Sequence, residues 1–249
     1  MFGPNDIWEI LQKLERTGRP VRLLNNYKGI PIAYEATIVQ ETPDGFIAQV
    51  NKYQNVCMEI EKVTFIQSDQ LPAVIRARIL SVDIVQAIAL LGEFSIAPDN
   101  IGGREAVRVQ PKDPIQVVLS NPRRKLTGNL VDISVSGVGI TIVTSFLYNP
   151  DLIKKASVTL ELKLPVEQGN LRVPGLLASV LSRRSGNYRL GVVLNLDNPT
   201  RQIIARFVAM RQAEILREMR SYYDLLYKIQ VDQNNELKQS PPSPPGPNR

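Results

Sequence analysis

The sequence predicts a mainly β protein, with two small β-barrel domains in tandem and a long C-terminal α-helix after the second. Three observations carry that reading. Short runs of alternating apolar residues recur on both sides of one break at residues 95–103, Ser-Ile-Ala-Pro-Asp-Asn-Ile-Gly-Gly. Turn-forming residues separate the runs. Beyond Pro199 the apolar spacing changes from two residues to a helical period. At 249 residues the chain is long enough to bury a core in each of two modest domains.

The first element is a short helix. Asp6 followed by Glu9 fits a capping box, and Ile7, Ile10, Leu11 and Leu14 then share one face. Gly18 and Pro20 end it. Strands are expected over residues 20–24, 34–40, 46–50, 56–60, 63–67 and 74–82, with Thr42-Pro43-Asp44-Gly45 as a turn. The apolar run 86–94 completes the set, so residues 1–94 read as a β-barrel-like domain. Residues 95–103 disfavour helix and strand alike and read as a linker.

The second domain is expected over residues 104–198, with strands at 115–119, 126–133, 138–142, 158–164, 176–182 and 188–196. Arg183-Arg184-Ser185-Gly186-Asn187 has the composition of a hairpin loop. Asn198 and Pro199 suit the cap and first position of a helix over residues 199–231. Val208, Ile215, Tyr222 and Ile229 recur every seven residues along it, with Met219 and Leu226 beside them. That face either packs on the chain's own barrel or, at its far end, pairs with a second subunit. The Pro-rich tail, residues 232–249, cannot form a core and is expected to be disordered.

Composition narrows the chemistry. There is one cysteine, Cys57, and no histidine, so the commonest general base and metal ligand are both missing. No catalytic constellation stands out, and neither an enzyme nor a metal site is expected. Cys57 lies in an alternating strand-like run and reads as a packed thiol. A net charge of +6 suits an acidic partner. The N-terminal residues lack the pattern of a signal peptide and no run is long enough to span a membrane. A cytoplasmic location is therefore the expectation.

Two motifs stand apart from structural punctuation. Arg104 and Arg108 lie four residues apart where the linker meets the second domain. Asp132-Ile133-Ser134-Val135-Ser136-Gly137 joins two expected strands. Singly, each has a plain reading. The arginines can be solvated charges, and the second motif can be local turn chemistry with Gly137 at positive φ.

Taken together and in this order, the motifs resemble those of the PilZ domain, a bacterial receptor module for cyclic di-GMP. The resemblance spans residues 102–207 and includes Val131-Asp132-Ile133-Ser134-Val135-Ser136-Gly137-Val138-Gly139-Ile140 and the late strand Tyr188-Arg189-Leu190-Gly191-Val192-Val193-Leu194. It implies a six-stranded barrel followed by a helix. It also implies a ligand site made by Arg104, Arg108, Asp132, Ser134 and Gly137, with no cofactor beyond that ligand. The β domain ahead of it resembles the layout of flagellar-brake receptors, which implies an unidentified protein partner in motility or polysaccharide output. One position departs from the pattern. Gly103 stands where many family members have a further arginine. Arg123, Arg124, Arg183 and Arg184 are candidates to replace that charge, and solvated loop charges are their plain alternative.

Arginine suits such a ligand physically. Its planar fork answers phosphate oxygens and the guanine O6/N7 edge, and its plane stacks on purines. Asp132 can accept from guanine N1–H and N2–H or hold an arginine in place, and Ser134 can bond a base or a phosphate. Two other readings compete: a PilZ-like protein adaptor that binds no nucleotide, and a nucleic-acid-binding barrel. Sparse aromatics on the strands of the second domain argue against the latter, so no nucleic acid is expected.

Overall fold

The structure, a computed structural model, describes residues 3–98, 106–122, 124–143, 155–183 and 186–239. The chain forms two closed six-stranded β-barrels, one in each of two compact units.

The first barrel has the elements α1 (Pro4–Thr17), β1 (Pro20–Tyr27), β2 (Ile30–Thr42), β3 (Gly45–Gln49), α2 (Lys52–Glu61), β4 (Val63–Gln67), β5 (Ile75–Asp83) and β6 (Ile88–Ile96). Its strands close in the order β1-β2-β3-β6-β5-β4. Ile7, Leu11 and Leu14 of α1 are buried in one cluster with Ile38, Phe46, Ile66, Ile75 and Leu91 from the strands. The expected apolar face is thus what plugs the barrel. Trp8 packs on Phe46 with ring centroids 4.7 Å apart and donates its indole N–H to Glu41 Oε1 at 2.8 Å. The cap differs from expectation. Asp6 is the third helical residue, and its carboxylate accepts from the Gly3 N–H at 2.7 Å, reaching back rather than forward.

A larger correction concerns residues 56–60, expected as a strand and found in α2. Asn51 caps that helix by accepting from the Tyr53 N–H at 2.9 Å, and Lys62 stops it in the left-handed conformation. The β-branched Val56 and Ile60 favour strand locally, but the caps and the burial of Val56, Cys57 and Met58 in the helix override them. Gln54 and Asn55 are buried with them. Gln54 Nε2 donates to Asn25 Oδ1 at 2.6 Å, and Asn25 Nδ2 donates to Glu61 Oε2 at 3.0 Å. Glu61 also accepts from the Asn26 N–H at 3.0 Å.

Cys57 is packed, as expected, and its S–H donates to the Tyr53 carbonyl at 3.3 Å with Met219 Sδ at 3.9 Å. Burial, with Glu61 nearby, pushes the thiol up to about 12, so it is no nucleophile at neutral pH. The expected linker loses Ser95 and Ile96 to β6, and residues 99–105 lie outside the described residues.

The second barrel comprises β7 (Gln116–Ser120), β8 (Lys125–Ile133), β9 (Gly137–Val143), β10 (Ser157–Leu162), β11 (Leu171–Arg183) and β12 (Asn187–Leu194), closed in the order β10-β11-β12-β9-β8-β7. Inward positions alternate along each strand, and Val117, Leu130, Ile133, Leu160, Val173 and Leu194 meet inside. Ile204, in the helix that follows, faces the same interior.

That helix, α3, runs Asn198–Gln239, beyond the expected end at residue 231. Its cap is Asp197, one residue before the expected Asn198. Asp197 Oδ1 accepts from the Thr200 N–H at 2.8 Å. The Thr200 hydroxyl first, and then its N–H, hold the carboxyl below its ordinary range by hydrogen bonding. Ile204, Phe207, Val208, Ile215 and Met219 are buried, whereas Ile229, farther along the expected seam, is 45% exposed. Gln230 Oε1 nonetheless accepts from the N–H groups of Ile84 and Val85, so this end is tied to the chain's own first barrel. Residues 240–249, most of the Pro-rich tail, lie outside the described residues. No described helix is long and apolar enough to cross a membrane.

Candidate functional site

The site begins with a fault in the register of β8. Leu130 pairs with Ile140 of β9 and Asp132 with Gly139, so Val131 is an extra residue, a β-bulge. Bulges re-aim side chains. Here Leu130 and Ile133 stay in the core while Asp132 falls on the other face, opposite Gly139. Gly139 is itself opposite Gly191 of β12, and Gly191 is opposite Ser179 of β11.

The two glycines open this row. A Cβ on Gly139 would sit 2.8 Å from Asp132 Oδ2, and one on Gly191 would sit 2.5 Å from Ser179 Oγ. The Asp132 carboxylate therefore lies down across β9. It reaches Arg189 of β12, whose Nη2 donates to Asp132 Oδ2 at 2.6 Å. From the other side Arg108 Nη1 donates to Asp132 Oδ1 at a longer 3.4 Å. The Asp132 side chain is 11% exposed, while those of Arg108 and Arg189 are 35% and 36% exposed. One nearly buried carboxylate is thus held between two guanidinium groups that both face solvent.

Arg108 owes its position to its neighbour. Val109 is buried and forms an isolated antiparallel bridge with Ile133, with both N–H···O bonds 3.0 Å long. In that antiparallel bridge residues 108 and 132 are diagonal neighbours on one face, within reach of a long arginine side chain. Farther on, the Gln110 carbonyl accepts from Nε of Arg211 at 2.9 Å; Arg211 is buried on α3 and paired with Glu214. The segment leaving Arg108 is therefore anchored on both β8 and α3.

Ser134 takes up the local turn chemistry that is the plain reading of its motif. It is buried, and its hydroxyl accepts from the N–H groups of Ser136 and Gly137 while lying 3.1 Å from the Gly137 carbonyl. Its hydrogen-bonding capacity goes to the turn. Gly137 does not adopt a positive φ. It is required because a Cβ there would come within 2.7 Å of the Val192 carbonyl oxygen. Arg104 and Arg123 lie outside the described residues, as do Arg184 and the side chain of Arg183. Arg124 is exposed on the β7–β8 turn.

The structure thus brings together Arg108, Asp132, Ser134 and Gly137, and adds Arg189 and Gly139. A family model for the PilZ domain matches residues 103–210. Residues 103–210 are a PilZ domain.

An uncharacterized protein of Aquifex aeolicus (strain VF5) is 35% identical over 118 residues, 47% of this chain. The chain spans about half of that relative, 53% of its length. Three solved structures have a similar trace. YcgR from Escherichia coli in complex with c-di-GMP is 16% identical, with 90% of this chain and 95% of that one covered and a TM-score of 0.40. The K. pneumonia MrkH–c-di-GMP complex is 14% identical, with 87% and 97% covered and a TM-score of 0.43. The Bacillus subtilis inhibitor of motility MotI/DgrA is 13% identical, with 79% and 97% covered and a TM-score of 0.39.

Within the PilZ domain, Arg189 and Gly139 were within reach of the sequence but not of its motifs. Both lie inside the two stretches that carry the resemblance. What could have singled them out is strand register. Gly139 and Gly191 are paired, and Arg189 is two residues from the second glycine on the same face. Among the described residues no cluster of candidate metal ligands is present.

Proposed function

We propose that this chain is a receptor for cyclic di-GMP, bound by the PilZ domain on the face where Arg108, Asp132 and Arg189 converge. The supporting observation is the shared carboxylate. Arg108 is bonded to Asp132 at 3.4 Å, a long and weak contact, and a third of its side chain faces solvent. It is therefore a guanidinium already delivered to the site and only lightly committed there.

Cyclic di-GMP offers what such a group takes: two phosphodiester charges and two guanine bases. Bidentate bonds from Arg108, and from Arg104 on the same segment, would meet phosphate oxygens or the O6/N7 edge. Asp132 would accept from guanine N1–H and N2–H with the lone pairs its arginines leave open. Ser134 and Gly137 would act through the turn, Ser134 by bonding its backbone and Gly137 by its close approach to β12.

Binding would draw Arg104 and Arg108 onto the ligand and change the orientation of the first barrel. A protein partner in motility or polysaccharide output would read that change. The protein would work as a receptor, not an enzyme, in the cytoplasm.

Calorimetry with the purified chain is the test. Wild type should bind cyclic di-GMP, and Arg104→Ala and Arg108→Ala should each weaken binding by about 10- to 100-fold, as expected for charge-assisted hydrogen bonds. Unchanged affinity in both variants would dismiss the proposed site, and an adaptor that binds no nucleotide would give no heat at all.

A further inference from the structure

We infer that Arg189 is a positioning residue of the ligand site: it is the fixed counter-ion of Asp132 that leaves Arg108 available to the ligand. The inference rests on the receptor reading and adds to it a residue outside both sequence motifs.

The two arginines on Asp132 are not equivalent. Arg189 sits inside β12, with Tyr188 and Leu190 buried on either side and its backbone paired to both Thr141 and Leu181. Its guanidinium is bonded at 2.6 Å. Arg108 precedes a single isolated bridge, lies in no strand, and is bonded at 3.4 Å. One cation lies inside a sheet and is close to the carboxylate; the other lies outside any strand and is more distant.

Desolvation makes the difference matter. The Asp132 side chain is 11% exposed, so water cannot stand in for a lost counter-ion. With Arg108 as sole partner, drawing it onto a phosphate or a base would strand a nearly buried charge. With Arg189 in place, Asp132 stays paired throughout and Arg108 moves at little cost. The same bond fixes the direction of the carboxylate. Asp132 Oδ2 is turned toward β12 over Gly139, which leaves Oδ1 on the side of Arg108 and of an incoming guanine edge.

The test uses the full chain and two readouts. By calorimetry with cyclic di-GMP, Arg189→Ala should bind about 10- to 100-fold more weakly than wild type, and Arg189→Lys should recover most of the loss because a cation is what Asp132 requires. Arg189→Met, which keeps the packing without the charge, should behave as Arg189→Ala and replaces it if that variant does not fold. Without ligand, Arg189→Met should lower the melting temperature in the wild-type background and change it little in an Asp132→Asn background. Wild-type affinity in Arg189→Met, or an equal loss of melting temperature in both backgrounds, would overturn the inference and leave the receptor reading standing. A wild-type chain that takes up no cyclic di-GMP would instead remove the receptor reading, and this inference with it.

Discussion

Asp132 and Arg189 form an ion pair 2.6 Å long although β9 runs between their strands. Neighbouring strands lie about 4.8 Å apart, so a side chain on β8 reaches one on β12 only by crossing the intervening backbone. The crossing is made at Gly139, where any side chain would occupy the space of the carboxylate. The pair therefore depends on a residue whose contribution is to have no side chain.

Gly139→Ala is the sharpest test of that dependence. The added Cβ would meet Asp132 Oδ2 at 2.8 Å and Cγ at 3.0 Å, and the carboxylate cannot retreat without losing Arg189. A destabilisation of about 1–3 kcal/mol is expected, in the range of overpacked sites. Chemical denaturation measures it. Cyclic di-GMP affinity should fall in the same variant, since both arginines would be misplaced, whereas Gly169→Ala, with nothing within 4 Å of its Cβ, should change neither.

Ser134→Ala should lower stability more than its single hydroxyl suggests. That oxygen satisfies the N–H groups of Ser136 and Gly137, and Ser134 is fully buried. Leaving buried donors unpaired costs about 1–3 kcal/mol. A thermal melt of the ligand-free chain reads the loss. If Ser134 served the ligand alone, the ligand-free melt would not move.

How much of this was legible beforehand follows from range. Barrel strands announce themselves through period-two alternation, so Val158 to Leu162 could be placed without any partner in view. The start of α1 and the helical run through Met219 were legible for a similar, local reason. Val56–Ile60 was misread because β-branched residues carry a strand preference, and the caps that decide otherwise, Asn51 and Lys62, are ordinary residues. The site divides in the same way. Arg108, Asp132 and Gly137 stand out by local spacing, whereas Arg189 is 57 residues from Asp132 and is joined to it only by the order of strands β8-β9-β12. Pairing order of that kind leaves no mark within a short window.

Glu61 should make the first barrel respond to pH. Burial raises its carboxyl above the ordinary range, against the bonds from Asn26 and Asn25 that lower it. The sign follows from proton counts. Between the ordinary value and the raised one, the folded chain keeps a proton that the unfolded chain has released, so stability falls as pH rises through that window. Glu61→Gln can still accept from the Asn26 N–H but carries no charge. Its stability relative to wild type should therefore rise with pH through the same window and then level off. Denaturation midpoints of both proteins from acid to neutral pH measure the difference, and parallel curves would exclude this role for Glu61.

Cys57 sets a second pH dependence at the alkaline end. Its thiol, buried against Met219 and desolvated, is pushed up to about 12, while an exposed thiol ionises near 9 or slightly below. Above that ordinary value the unfolded chain loses the proton and the folded chain retains it. Wild-type stability should therefore fall by about 1.4 kcal/mol per pH unit from this group alone as pH climbs toward 11. Tyrosines and lysines titrate there too, so the comparison is with Cys57→Ala, which shares every other group. The variant should start less stable, having lost a packed side chain, and the gap should narrow as pH rises. Thiol reagents at pH 8 give an independent reading. The native chain should react only as fast as it unfolds, because the sulfur is both fully buried and protonated. Prompt modification of the folded protein would mean that Cys57 is reached by solvent, and the alkaline slope should then be absent as well.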